Sequence, residues 1–271
     1  MGSALIGGML KAGVAGCEYV SATVKSESRA LELASRYAIR ATAAGNAAAA
    51  SDADLIILAV KPGTVPAVLR EISHVLHEGQ IILSVAASLP IALIESLLPL
   101  PLPVFRAMPN IPVVVEEGAT AVCSNAAASQ AQRDLIESIF RAVGVVCFVE
   151  EDLMDAVTAL SGSGPAYIYM VIEAMIAGGV KMGLSHSIAT RLAEQTVLGA
   201  AKQVRDTKLH PAILRDQVIT PGGVTIAAIH ELEKHGLRST IISALEIATS
   251  HSRHRTSLLV EKLKLEQKTN T

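Results

Sequence analysis

The sequence predicts an α/β chain in two parts. A Rossmann-type, doubly wound parallel sheet is expected over residues 1–149, and an all-α region over residues 150–271. Three observations carry this reading. The runs Asp54-Leu-Ile-Ile-Leu-Ala-Val60 and Gln80-Ile-Ile-Leu-Ser-Val-Ala86 are apolar at successive positions, as strands covered on both faces by helices require. They alternate with helix-forming stretches, the rhythm that builds a parallel sheet with right-handed crossovers. From Leu153 onward strand signals vanish, and composition changes near Val149.

Taken in order, residues 2–12 are helical by content and residues 19–23 form a short β-like run. Residues 27–37 set Leu31 and Leu33 in a helix-forming stretch, and the alanine-rich residues 41–50 are interrupted by Gly45-Asn46 just before a short helix. Residues 64–76 read as the crossover helix between the two apolar strands. Pro99, Pro101 and Pro103 then punctuate the approach to a strand at 104–107. In the second part, residues 166–182, 187–206 and 223–255 are helical by periodicity, with breaks at Gly183 and Pro211. The charged residues 261–271 are expected to fray.

Composition narrows the function. The 271 residues carry 23 basic and 25 acidic side chains with no basic block, which argues against a nucleic-acid partner. No apolar run reaches the length of a membrane span, and the start lacks the basic flank of a signal peptide. Cys17, Cys123 and Cys147 are too widely spaced for a metal site or a paired disulfide framework. They read as buried thiols in a reducing compartment, and no metal is expected.

Two motifs carry the chemistry. Ser161-Gly-Ser-Gly-Pro-Ala-Tyr167 and Thr220-Pro-Gly-Gly-Val-Thr225 each place glycines and hydroxyls where a helix begins. Free N–H groups there suit a carboxylate or a phosphate. A serine-nucleophile elbow needs a preceding strand with Asp and His in support, whereas residues 154–160 are helical in character. A serine hydrolase is therefore set aside. The second motif is also compatible with a plain turn and helix cap.

The surrounding text extends the pattern. It includes Glu150-Glu-Asp-Leu-Met-Asp-Ala-Val-Thr-Ala-Leu-Ser161, Gly178-Gly-Val-Lys-Met-Gly183, Gln195-Thr-Val-Leu-Gly-Ala-Ala-Lys202, His210-Pro211 and Leu214-Arg-Asp-Gln-Val-Ile-Thr220. In the first half it includes Ala59-Val-Lys-Pro62, Ser84-Val-Ala-Ala87 and Arg106-Ala-Met-Pro-Asn110. Together these resemble the pyrroline-5-carboxylate reductases over nearly the whole chain. The resemblance implies NAD(P)H-dependent reduction of 1-pyrroline-5-carboxylate to L-proline, the final step of proline biosynthesis. It also implies a cytoplasmic homodimer with interleaved C-terminal helices, assembling into a higher homo-oligomer.

Residue roles follow from the two sources together. Gly222, Gly223, Val224 and Thr225 are expected to clamp the substrate carboxylate at a helix start. Thr225, whose hydroxyl both donates and accepts, is the candidate catalytic residue at the imine nitrogen. Ser161 and Gly162 line the pocket near the nicotinamide. Glu151 either touches cofactor or substrate or is a helix N-terminal carboxylate. On the cofactor side the strand end Ala59, Val60, Lys61 and Pro62 lies where such folds bind ligands, and Lys61 taken alone reads as a surface charge. Ala86 and Ala87 leave room for a nicotinamide ring. Lys25 and Ser26 either hold a 2′-phosphate, favouring NADPH while leaving NADH possible, or form a solvated turn. The resemblance adds Asn46 beside the adenosine, and Gln217. The family pattern has Gly where this chain has Ser88.

The resemblance implies that Gly2 is the third glycine of the dinucleotide fingerprint, which puts the strand with the first two glycines about ten residues upstream of Met1. The 271-residue chain is thus expected to be a shortened form, with an empty slot beside the 54–60 strand and Met1-Gly2 starting a helix that points into the pyrophosphate site. Two other readings stand beside the reductase. One is a related β-hydroxyacid or imine reductase, although neither Lys181 nor Lys202 sits in the catalytic-lysine motif of those enzymes; the other is a non-catalytic, truncated dimeric scaffold.

Overall fold

A computed structural model describes residues 1–269. In chain order the first half runs α1 (Gly2–Lys11), β1 (Ser21–Thr23), α2 (Glu27–Tyr37), β2 (Arg40–Thr42), α3 (Asn46–Ser51), β3 (Leu55–Leu58) and α4 (Val65–Ile72). It continues with β4 (Ile81–Ser84), α5 (Ile91–Glu95), β5 (Val104–Met108), β6 (Gly118–Ser124), α6 (Gln130–Arg141) and β7 (Gly144–Phe148). Helices follow: α7 (Met154–Val157), α8 (Gly164–Lys181), α9 (His186–Thr207), α10 (Pro211–Asp216), α11 (Val224–Lys234) and α12 (Leu237–Thr269).

Two compact units result, residues 1–163 together with the stretch from 247, and residues 164–246. This division falls later than the composition change at 149. The reason is packing within the first unit. Leu259, Val260 and Leu263 of α12 join a core that includes Met154 and Val157. Asp155 Oδ1 also accepts hydrogen bonds from Ser252 Oγ at 2.6 Å and Thr256 Oγ1 at 3.4 Å.

In the first unit β3-β4-β5-β6-β7 form one sheet. Alternation sorts its side chains. Ile81, Leu83, Phe105, Ala107 and Val122 face Leu5 and Met9 of α1 and Ile136, Ile139 and Phe140 of α6. Ile82, Val104, Ala121 and Cys123 face Val65, Leu69 and Ile72 of α4 together with Ile91 and Ile94 of α5. The sheet is doubly wound, as expected, with one reversal: β5 and β6 pair antiparallel. Their connection, residues 109–117, is too short for the parallel crossover of about a dozen residues. The strands β2, β6 and β7 add to those read from the sequence.

β1 and β2 form a separate parallel pair. Among the described residues no strand bonds to the outer edge of β3. The start of α1 lies at the C-terminal end of β3, where a Cβ on Gly2 would come within 3.1 Å of Ala59 Cβ.

The second unit is helical. Gly183, at φ +100°, closes α8, and Leu184 N–H returns to Gly179 O at 3.1 Å. Ser185 then caps α9. A Cβ on Gly179 would meet Ala189 Cβ at 3.1 Å, so small residues let the two helices approach. The stretch expected as one helix over 223–255 is two, because Gly236 sits at φ +69° between α11 and α12. The fraying expected over 261–271 meets a helix that runs to Thr269, and residues 270–271 lie outside the described residues.

Candidate functional site

Candidate residues fall in each unit. In the first, the parallel ladders set the ends of β3, β4 and β5 side by side. Val85 N–H donates to Leu58 O at 3.2 Å, which carries the pairing beyond β4 and puts Ala86 and Ala87 next to Ala59 and Val60. Ala86 is buried, and Ser84 Oγ accepts its N–H at 3.3 Å. Lys61 precedes a one-turn helix begun by Pro62, and Thr64 N–H returns to Lys61 O at 2.8 Å. The Lys61 side chain is exposed. Ser88 follows with φ +59°, a left-handed backbone that glycine adopts freely and serine does not.

At the other end of this edge, Ser26 caps α2, its Oγ accepting Arg29 N–H at 3.4 Å, with exposed Lys25 just before it. Asn46 begins α3 with both amide atoms engaged. Thr23 Oγ1 donates to Asn46 Oδ1 at 2.6 Å, and Asn46 Nδ2 donates to Glu71 Oε2 at 2.8 Å.

Glu151 has two partners in the first unit. Its Oε1 lies 3.3 Å from Nη1 of Arg106, a guanidinium only 5% exposed, and accepts Ile91 N–H at the start of α5 at 2.7 Å. Its carboxylate therefore caps the start of α5 and pairs with Arg106 at once. Cys123, across the β5–β6 ladder from Arg106, has its thiol pushed up to about 12 by burial and then by the Glu151 charge, against the opposing pull of Arg106.

Ser161 and Gly162 occupy a wide helical turn closed by Ser163 N–H to Thr158 O at 2.9 Å. Such five-residue closures recur at functional sites. Ser161 Oγ donates back to Val157 O at 3.1 Å. The Ser161 carbonyl accepts Asn110 Nδ2 at 3.1 Å, and Asn110 Oδ1 accepts Ala119 N–H at 2.9 Å. Arg106 and Asn110, both within the quoted Arg106-Ala-Met-Pro-Asn110 motif, received no role from the sequence.

In the second unit Gly223 is the N-cap of α11, and Gly222 reaches φ +67° to deliver it. Gly223 N–H closes on Thr220 O at 2.9 Å, and a Cβ on Gly223 would stand 2.2 Å from Thr220 Oγ1, so a side chain there would push the Thr220 hydroxyl aside. Val224 is 89% exposed, and the first N–H groups of α11 have no intrahelical acceptor. The Thr225 hydroxyl has no hydrogen-bond partner among the described residues. Gln217 ends α10, exposed, its N–H bonded to Ile213 O at 3.2 Å.

Comparison with known proteins fixes the relationship. A pyrroline-5-carboxylate reductase of Methanosarcina acetivorans is 40% identical over 253 residues, spanning 93% of each chain. The chain belongs to the pyrroline-5-carboxylate reductase family. Residues 151–255 match the family model for pyrroline-5-carboxylate reductase dimerisation, and residues 1–88 match that for NADP oxidoreductase, coenzyme F420-dependent. Among solved structures, the pyrroline-5-carboxylate reductase of Coxiella burnetii superposes with a TM-score of 0.89 at 35% identity, covering 93% of this chain and 94% of that one. The pyrroline carboxylate reductase of Plasmodium falciparum, solved with NADP bound, gives 0.83 at 31% identity and covers 94% of each. The family and the fold class read from the sequence are both borne out. So is the enzyme class, an NADP-type oxidoreductase acting on a C=N bond. No helix among the described residues is long and apolar enough to cross a membrane.

Proposed function

We propose that this member of the pyrroline-5-carboxylate reductase family reduces 1-pyrroline-5-carboxylate to L-proline with NADPH, as the final step of proline biosynthesis. The observation that carries the reading is the 40% identity across 93% of both chains. The open start of α11 supports it.

Residues 1–149 hold the cofactor in this reading, and residues 150–271 supply substrate contacts and the dimer surface. The residues present fit a nicotinamide dinucleotide. Lys25 and the Ser26 hydroxyl offer a cation and a donor for a 2′-phosphate, and Asn46 stands nearby on the adenosine side. Ala59, Val60, Lys61 and Pro62 form the strand end where such folds bind ligands, and the small side chains of Ala86 and Ala87 would leave room for a flat ring. When bound, the nicotinamide supplies the hydride.

The remaining task of the chain is placement. The N–H groups of Val224 and Thr225 and the positive end of α11 hold the substrate carboxylate, with Gly222 and Gly223 permitting close approach. As carbon accepts the hydride, the C=N pair moves onto a nitrogen that already carries its proton, and a neutral amine results. No general base is obligatory. Thr225 Oγ1 donates to or accepts from that nitrogen as its charge disappears. Exposed apolar side chains in the second unit, among them Met170, Leu192 and Leu198, suit a homodimer. We place this dimer in the cytoplasm, assembled into a higher homo-oligomer.

Loss of NADPH absorbance with pyrroline-5-carboxylate tests the activity. Loss only with a 2-oxo acid, or with the aldehyde that a β-hydroxy acid gives on oxidation, would transfer the chain to a related reductase. A fluorescence titration with NADPH measures cofactor binding directly, and a flat signal would overturn the reading.

A further inference from the structure

β5 and the two residues that follow it touch the segment 151–162 at three alternate positions, 106, 108 and 110. Arg106 pairs with Glu151 at its start. At its end the Met108 methyl lies against Gly162, where a Cβ would come to 2.6 Å. Asn110, 8% exposed, donates to the Ser161 carbonyl at 3.1 Å. The last contact answers a defect written into the sequence. In a continuous α-helix the Ser161 carbonyl would receive the N–H of residue 165, and Pro165 has none. A half-buried carbonyl without that donor needs another. Asn110 Nδ2 supplies it, while Oδ1 ties the same amide to Ala119 N–H on β6. The amide therefore references the wide turn at 158–162 to the sheet.

We propose that Asn110 is a positioning residue of the substrate pocket, its amide setting where Ser161 and Gly162 stand. The pocket assignment rests on the function proposed above; the geometry of the turn does not.

Asn110→Asp provides the test, because at neutral pH it keeps the acceptor for Ala119 N–H and removes the donor to Ser161. The expected result is a fall in kcat/KM for pyrroline-5-carboxylate of about tenfold or more with NADPH affinity within about twofold of wild type. Backbone amides of residues 158–163 should exchange faster, with those of residues 118–124 unchanged. Unchanged exchange at 158–163, equal loss of protection at 118–124, or faster exchange with wild-type kcat/KM would each overturn the proposal. If the wild-type protein shows no turnover, the functional reading fails on its own, and exchange at 158–163 still decides whether Asn110 holds the turn.

Discussion

Arg106 and Glu151 stand 3.3 Å apart, nitrogen to oxygen, with the guanidinium 5% exposed and the carboxylate 35% exposed. Loss of the Glu151 charge would leave an opposite charge stranded in the protein interior. Glu151 Oε1 also serves Ile91 N–H. The carboxylate thus fastens the start of the helical segment to the sheet and caps α5 in the same place.

Glu151→Ala should cost about 2–3 kcal/mol, below the 3–5 kcal/mol of a fully buried pair because the carboxylate reaches solvent. Glu151→Gln keeps the acceptor and should cost less. Adding Arg106→Met to Glu151→Ala should recover part of the loss, since the stranded cation is removed. Urea unfolding of the three variants measures this, and no recovery in the double variant would show that the α5 cap dominates.

The sheet was largely legible from apolar runs, because strands buried on both faces leave an unbroken signal. The run 27–37 likewise became α2 at the same bounds. β6 begins at Gly118 and mixes small or polar residues with apolar ones, so its strand character comes from pairing rather than from local preference, whereas Val145-Val146-Cys147-Phe148 of β7 is strand-prone in its own right. The start of α11 could be read because caps are local. Glu151 and Asn110 could not, since their partners Arg106 and Ser161 are distant in sequence. Only Pro165, with its missing N–H, signalled that the Ser161 carbonyl would need an outside donor.

Ser88→Gly should stabilise the protein. A left-handed serine costs about 1–2 kcal/mol, and the freedom glycine gains in the unfolded chain takes back about 0.5–1 kcal/mol. The net gain of up to about 1 kcal/mol raises Tm by about 2–4 °C in a chain of this size. A melting temperature at or below wild type would mean that the Ser88 side chain makes up the backbone cost.

Stability should fall at alkaline pH through Cys123. Its thiol ionises at 9.0 when unfolded and at about 12 when folded, so below pH 9 it is neutral in both states and its contribution is complete. Between pH 9 and about 12 the unfolded thiol ionises first and the contribution is lost. Cys123→Ala should flatten that part of the stability curve measured by urea unfolding. In native protein at pH 8, thiol reagent should take exposed Cys147 rapidly and Cys123 only on unfolding.

Lys25→Glu tests the cofactor side. With the cation replaced by a carboxylate, NADPH should bind at least about tenfold more weakly, while NADH, lacking the 2′-phosphate, changes much less. Titration of both cofactors against both proteins gives the answer. Equal affinities unaffected by the substitution would reject Lys25 and Ser26 as the phosphate site.

Thr225→Ala tests the other half of the chemistry. The hydroxyl has no partner among the described residues, so its removal breaks no intramolecular bond, and stability should change little. What is lost is one bond to the substrate, worth about 1 kcal/mol and more when charge assists it. A loss of about 1.4 kcal/mol appears as a tenfold fall in kcat/KM. NADPH affinity should be unchanged, and Thr225→Ser, which retains the hydroxyl, should restore most of the rate. If the loss appears in kcat with KM constant, the bond belongs to the transition state, as expected for a group facing a nitrogen whose charge is disappearing. If KM alone rises, Thr225 only binds. Wild-type kinetics in the alanine variant would leave the role to the backbone N–H groups at the start of α11.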